Sequence, residues 1–257
     1  MSGRFEVPVP PLKLNPEKTG GHVAFIQARM GSTRLPGKVL LPIGKRSAIS
    51  HVWHRVKAVY PETVVCIPAS TENDPLANEL AMIGADCFRW DGPENDVLSR
   101  FAACFEQRYG WKAERNFYVM RITADCPFLP AGLLRLVGVG VPGAGYCSSF
   151  FGDRTWPKGY DVEGFQASWL GHAYRCADHP YDREHVTPLM QRGWLKPPIP
   201  RTAPFNLSHH RWTLDTPADY EFFKAVAERI DCEPPHPTTA ELLDLLEREP
   251  ALAKINT

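Results

Sequence analysis

The sequence predicts a single α/β domain built on a mainly parallel sheet flanked by helices. Strand-length apolar runs alternate with amphipathic stretches of helical spacing through the first 140 residues. At 257 residues and 44% hydrophobic, the chain can bury one sizeable core. Polar, Gly-containing loops follow the strands, and in such sheets ligands sit beyond the carboxyl ends of the strands.

Residues 1–21, rich in Pro and Gly, read as an extended N-terminal arm, and 22–257 as the domain. HVAFIQA (22–28) is the first strand. SAISHVWHRVKAVY (47–60) sets Ile49, Val52, Trp53, Val56 and Val59 on one helical face. TVVCIPA (63–69) is a β-branched second strand, and DPLANELAMIG (74–84) opens on Asp-Pro and closes on Gly, the start and stop signals of a helix. ADCFRW (85–90) is a short strand, NDVLSRFAACFEQRYG (95–110) a helix and NFYVMRITA (116–124) another strand.

The second half is less regular. Residues 145–165 read as strands and turns, and 167–177 and 182–193 as helices, the latter interrupted near Pro188. Residues 197–215 form a loop leading into a strand that ends in RWTL; 217–230 and 238–250 are amphipathic helices.

Composition narrows the function classes. Lys+Arg and Asp+Glu both number 29, so there is no bulk basic field of the kind nucleic-acid binding requires. The N-terminus lacks the apolar run of a secretory signal, and no stretch approaches the ~18 apolar residues of a membrane span. The seven cysteines form no CxxC pair and read as reduced thiols of a cytoplasmic protein.

The first strand runs into ARMGSTRLPGKVL, which holds Arg29, Gly31, Ser32, Thr33, Arg34, Gly37 and Lys38. Glycines let backbone N–H groups approach a triphosphate, and Arg and Lys neutralise it. The loop is not a Walker A motif, because five residues separate Gly31 from Gly37 and Val39 follows Lys38. Nor is it the GxGxxG dinucleotide fingerprint.

Two carboxylates follow strands. Asp125 lies in TADCP and Asp215 just past RWTL. Mg2+ takes one or two protein carboxylates together with substrate phosphate oxygens, so the pair suits that ion. The competing roles are a turn cap for Asp125 and a helix cap for Asp215, although Thr216 can take the cap and free Asp215. Ser70 and Asn73 are ordinary turn formers, and Arg100 sits in a helix behind a polar turn. Arg121 precedes Asp125 on a strand, where it can orient that carboxylate or meet phosphate. Asp161 and Glu163, two apart, share a strand face suited to sugar hydroxyls or a second metal ion. Arg183 and His185 lie in the charged first turn of a helix.

IQARMGSTRLPGKVL resembles the signature loop of the cytidylyltransferase family that activates acidic sugars as CMP derivatives, in particular its spore-coat-polysaccharide (SpsF-like) type beside the CMP-Kdo and CMP-acylneuraminate synthetases. The blocks PENDVLSRF (93–101), RITADCPFLP (121–130), GYDVEGF (159–165), REHVTP (183–188) and RWTLDTPADY (211–220) agree in order, across roughly residues 22–230. The resemblance implies a Rossmann-like nucleotide-diphospho-sugar transferase fold with a protruding dimerisation region, and a homodimer. It implies transfer of CMP from CTP to a sugar-like acceptor, acidic or phosphorylated, with release of pyrophosphate. Arg34, Lys38, Asp125 and Asp215 are then catalytic, and Asp125 and Asp215 bind Mg2+. Ala28, Arg29, Gly31, Ser32, Arg34, Lys38, Ser70, Asn73, Arg100 and Arg121 contact the nucleotide, and Asp161, Glu163, Arg183 and His185 lie toward the acceptor. The attacking atom stays open between hydroxyl, phosphate and phosphonate oxygen. The rival classes are an inactive nucleotide-binding module and an ATP-dependent sugar phosphotransferase.

Overall fold

The computed structural model describes residues 21–192, 199–200, 202–234 and 236–256. Apart from Gly21, the expected arm lies outside them. The strands are β1 (His22–Gln27), β2 (Pro42–Ile43), β3 (Arg46–Ser47), β4 (Thr63–Pro68), β5 (Asp86–Trp90), β6 (Tyr118–Thr123), β7 (Tyr146–Ser148), β8 (Val162–Gln166) and β9 (Ile199–Pro200). The helices are α1 (Ala48–Lys57), α2 (Asp74–Met82), α3 (Val97–Tyr109), α4 (Ala131–Ala144), α5 (Ala167–Cys176), α6 (Pro180–His185), α7 (Pro188–Gln191), α8 (Pro217–Ala227) and α9 (Thr239–Arg248).

The main sheet has the order β5-β4-β1-β6-β8-β7-β9. Strands β5, β4, β1 and β6 are parallel, while β8 runs antiparallel to both β6 and β7. From β1 the chain first winds outward through β4 and β5, then returns to lay β6 on the other side of β1. That reversal makes the carboxyl ends of β1 and β6 the topological switch point, where doubly wound sheets bind ligands.

Along β1 the side chains alternate between two buried clusters. Val23 and Phe25 pack with Phe101 and Phe105 of α3 and Leu170 of α5, while Ala24 and Ile26 pack with Val52 of α1, Leu134 of α4 and Phe222 of α8. Burial on both faces is why the central strands read as nearly unbroken apolar runs.

Sequence and structure part company at three places. Helix α4 (AGLLRLVGVGVPGA) carries four glycines and Pro142, which argue against a helix by propensity. Its buried Leu133, Leu134, Val137 and Val141 hold it against the sheet regardless. The helix expected over 182–193 begins two residues earlier, at Pro180, and the interruption expected near Pro188 falls at Val186 and Thr187, dividing it into α6 and α7. RWTL is not a strand: among these residues only Arg211 forms a bridge, to Lys158.

Candidate active site

Beyond β1 the loop turns at Gly37, whose φ of 68° is cheap only without a Cβ. A single 3-10 turn, Lys38–Leu40, follows and is anchored by buried Val39. Lys38 Nζ donates to Asp125 Oδ2 and to Asp215 Oδ1, both at 2.7 Å. From behind, buried Asn73 accepts from the Met30 N–H at 2.9 Å and donates to Ser70 Oγ at 2.9 Å. Ser70 and Asn73 thus brace the loop rather than line the cleft.

Residues 177 positions apart in the chain meet at Lys38 through backbone contacts. The carbonyl of Asp125, just past β6, accepts from the Leu214 N–H at 2.8 Å, which brings Asp215 alongside. The segment is also fastened to Lys158: the Trp212 N–H donates to the Lys158 carbonyl at 2.6 Å. Gly159 permits this approach, since a Cβ there would lie 2.1 Å from the Trp212 carbonyl oxygen. Thr216 caps α8 by accepting from the Asp219 N–H, and Asp219 reciprocates to the Thr216 N–H at 2.9 Å. With the cap filled by Thr216, Asp215 faces the cleft, 3.2 Å from Arg34 and 3.6 Å from Arg211.

Burial alone would push the Asp125 carboxyl up, but the charge and hydrogen bond of Lys38 outweigh it and hold the group below its ordinary range. The converse holds for Lys38: burial would lower it, and the two carboxylates raise it instead. The cleft floor therefore carries one ammonium shared by two carboxylates.

The cleft, about 370 Å³, is lined by the loop from Ala28 through Gly31, Ser32 and Arg34 to Lys38, by the two carboxylates, and by Val97, Arg100, Glu184 and His185. Arg100 is 1% exposed; it donates to the Glu94 carbonyl, while its Nε meets no partner among the described residues. Burial pulls its guanidinium down to about 10. Arg29 is tied to Glu94 at 3.3 Å and to Glu184 at 3.7 Å, closing the loop against α6. His185 packs on Tyr181, and its carbonyl accepts from the Thr187 N–H at 2.7 Å around Val186. The φ of 67° at Val186 is strained for a β-branched residue and is held by burial of its side chain.

Besides Ser70 and Asn73, four expected site residues lie off the cleft. Arg121 and Glu163 form an ion pair beneath the floor, on facing positions of β6 and β8. Asp161 pairs with Arg154 at 2.5 Å. Arg183 bonds Asp96, the N-cap of α3, at 2.9 Å, and therefore fastens α6 to α3. Gln27, Thr33, Thr123 and Glu184 line the cleft and were not among the expected site residues. Gln27 and Thr123 had a visible signal: each is a polar residue at the carboxyl end of a largely apolar strand.

The parallel sheet with a phosphate-type loop and a cation-bridged carboxylate pair at its switch point defines a nucleotidyltransferase. Comparison with known proteins specifies the kind. Residues 23–137 match the family model described as Cytidylyltransferase. The chain is 33% identical over 243 residues to the spore coat polysaccharide biosynthesis protein SpsF of Bacillus subtilis (strain 168), covering 89% of this chain and 95% of that one. It superposes on the solved structure of a cytidylyltransferase from Leptospira borgpetersenii serovar Hardjo-bovis (strain JB197) with a TM-score of 0.79 at 25% identity, covering 93% and 98% of the two chains. The structure of CMP:2-keto-3-deoxy-manno-octonic acid synthetase complexed with CTP shares the fold, with a TM-score of 0.61 at 17% identity over 82% of this chain and 99% of that one. The chain belongs to the cytidylyltransferase family, and is a CTP-dependent nucleotidyltransferase. Among the described residues no helix is long and apolar enough to cross a membrane.

Proposed function

We propose that this enzyme transfers CMP from CTP to a sugar-like acceptor bearing a carboxylate or phosphate, in the making of a polysaccharide. The observation that carries the reading is Lys38 held between Asp125 and Asp215 at the switch point. The loop's Gly31 and Ser32 offer close backbone approach to the triphosphate, and Arg29, Arg34 and Lys38 offset its charge. Arg100, at the cleft wall, suits a base or ribose oxygen. The acceptor oxygen attacks the α-phosphorus; a new P–O bond forms as the bond to the β-phosphate breaks, and pyrophosphate leaves. The protein's part is positioning and charge stabilisation.

Two carboxylates that already share a cation between them fit Mg2+, which completes its shell with phosphate oxygens and water. Asp125 and Asp215 would hold it. When bound, it neutralises charge on the phosphates.

The relatives named for spore coat polysaccharide biosynthesis and for a keto-deoxy sugar acid support an acceptor of this class. The test is a panel of CTP, UTP, ATP and GTP, each with sugar acids and sugar phosphates, followed by pyrophosphate detection. Acceptor-dependent pyrophosphate release with CTP supports the reading. ADP release from ATP would instead show a phosphotransferase, and binding without turnover an inactive module.

A further inference from the structure

A polar ladder crosses the sheet beneath the cleft, on the face covered by α3, α5, α6 and α7. Gln27 on β1, Arg121 on β6 and Glu163 on β8 are its rungs. Arg121 Nε donates to Gln27 Oε1 at 3.0 Å, and the same guanidinium is ion-paired with Glu163. Glu163, 1% exposed, accepts in addition from Tyr146 Oη at 2.6 Å, Thr187 Oγ1 at 2.5 Å and Gln191 Nε2 at 3.2 Å. Its oxygens are filled, so it is not free to bind a ligand, and it fixes the Arg121 guanidinium in one plane.

That fixation has a chemical consequence at Gln27. A guanidinium has five N–H donors and no acceptor, so it can bond only the carbonyl oxygen of an amide. The amide cannot flip without setting N–H against N–H. Gln27 Oε1 is therefore committed to Arg121, and its NH2 group is turned the other way. Gln27 lines the cleft, and among the described residues its amide nitrogen meets no hydrogen-bond partner. In the strand register Gln27 lies opposite Thr123, and its carbonyl accepts from the Ala124 N–H at 3.1 Å. The amide thus stands one strand over from Asp125 and immediately before the phosphate loop.

We propose that Gln27 is a further catalytic residue: its orientation-locked NH2 donates to an oxygen of the α-phosphate of CTP, with Arg121 and Glu163 as its positioning residues. This rests on the reading that the α-phosphate lies between Lys38 and Asp125. A neutral donor there contacts the reacting phosphoryl group without drawing Lys38 away from the carboxylates. A donor preset in direction needs no reorganisation as charge develops.

The test uses two variants and three ligands. Gln27→Glu keeps an oxygen for Arg121 and loses the donor; Gln27→Leu loses the donor without adding charge. Calorimetry with CTP, CMP and cytidine reads the contact, because CTP and CMP share the α-phosphate and cytidine lacks it. Both variants are expected to weaken CTP and CMP binding about tenfold, the effect of one lost hydrogen bond to a charged group, and to leave cytidine binding unchanged. Loss confined to Gln27→Glu would reduce the effect to charge repulsion and overturn the donor role. Loss for CTP but not CMP would move the contact to the outer phosphates, and loss for cytidine to the nucleoside; either overturns the proposal. Unchanged binding of all three overturns it as well. Failure of the wild-type enzyme to prefer CTP over ATP would count against the functional reading itself, and is read by a further titration of the wild type with ATP.

Discussion

Two clusters of opposite charge lie at the heart of this molecule and do different work. In one, Lys38 joins Asp125 and Asp215, whose side chains are 24% and 11% exposed to the cleft. In the other, Arg121 joins Glu163, with side chains 9% and 1% exposed. What separates them is the number of filled lone pairs. Glu163 has Tyr146, Thr187 and Gln191 as well as its arginine. Asp125 has Lys38 as its only ion partner among the described residues, with a hydrogen bond from Thr123 and a weak thiol contact from Cys126 beside it. A saturated carboxylate holds structure, whereas one with open lone pairs facing a cleft can take up a metal ion or substrate. Charge and position alone do not distinguish the two.

The sharpest way to break the contrast is to treat both clusters alike. Glu163→Ala leaves the Arg121 guanidinium buried without its ion partner and should cost about 3–5 kcal/mol of folding stability. Chemical denaturation reads it; a loss below about 1 kcal/mol would mean that the closed cluster holds little. Lys38→Ala should behave oppositely. Stability should change little, because both carboxylates border the cleft and Arg34 and Arg211 remain beside Asp215. Turnover should fall about 100-fold or more, as expected for ~2–4 kcal/mol of lost charge stabilisation. A folded variant that retains turnover within a few-fold would make Lys38 a structural residue.

A smaller effect concerns acid stability. Burial lowers His51 from its ordinary value to about 4, against its bond to the Ile43 carbonyl. Burial also lowers His210 to about 4. Between about pH 6.5 and 4 the unfolded chain binds protons that the folded one refuses, so stability is complete above this window and falls as pH drops through it. For His51 the loss is on the order of 2–3 kcal/mol. Denaturation midpoints measured at pH 7 and pH 4.5 test this, and His51→Asn should flatten the difference. An unchanged slope would place the acid sensitivity elsewhere.

The contrast also shows which parts of the molecule were legible in sequence. β1 and its loop were, because strand, glycines and cations are contiguous. Asp215 was partly legible: Thr216-Pro217 advertised an alternative helix cap, and Thr216 indeed fills it. The fate of Glu163 was not, because its partners lie on β6, β7 and α7, up to 42 residues away, and strand periodicity gives only a face. Arg183 was opaque for the same reason, since its partner Asp96 is 87 residues distant. Helix α4 was missed because glycine, valine and proline hide a helix that tertiary packing enforces.

The central claim is that Asp125 and Asp215 are open carboxylates that hold a divalent ion against CTP. It is tested most directly by a magnesium titration of acceptor-dependent pyrophosphate release at saturating CTP, for the wild type, Asp125→Asn and Asp215→Asn. Both variants should need more magnesium for half-maximal rate. The Asp125 variant should be the more severe, because Asp215 already spends part of its charge on Arg34 and Arg211. A magnesium requirement unchanged in both variants would contradict the account.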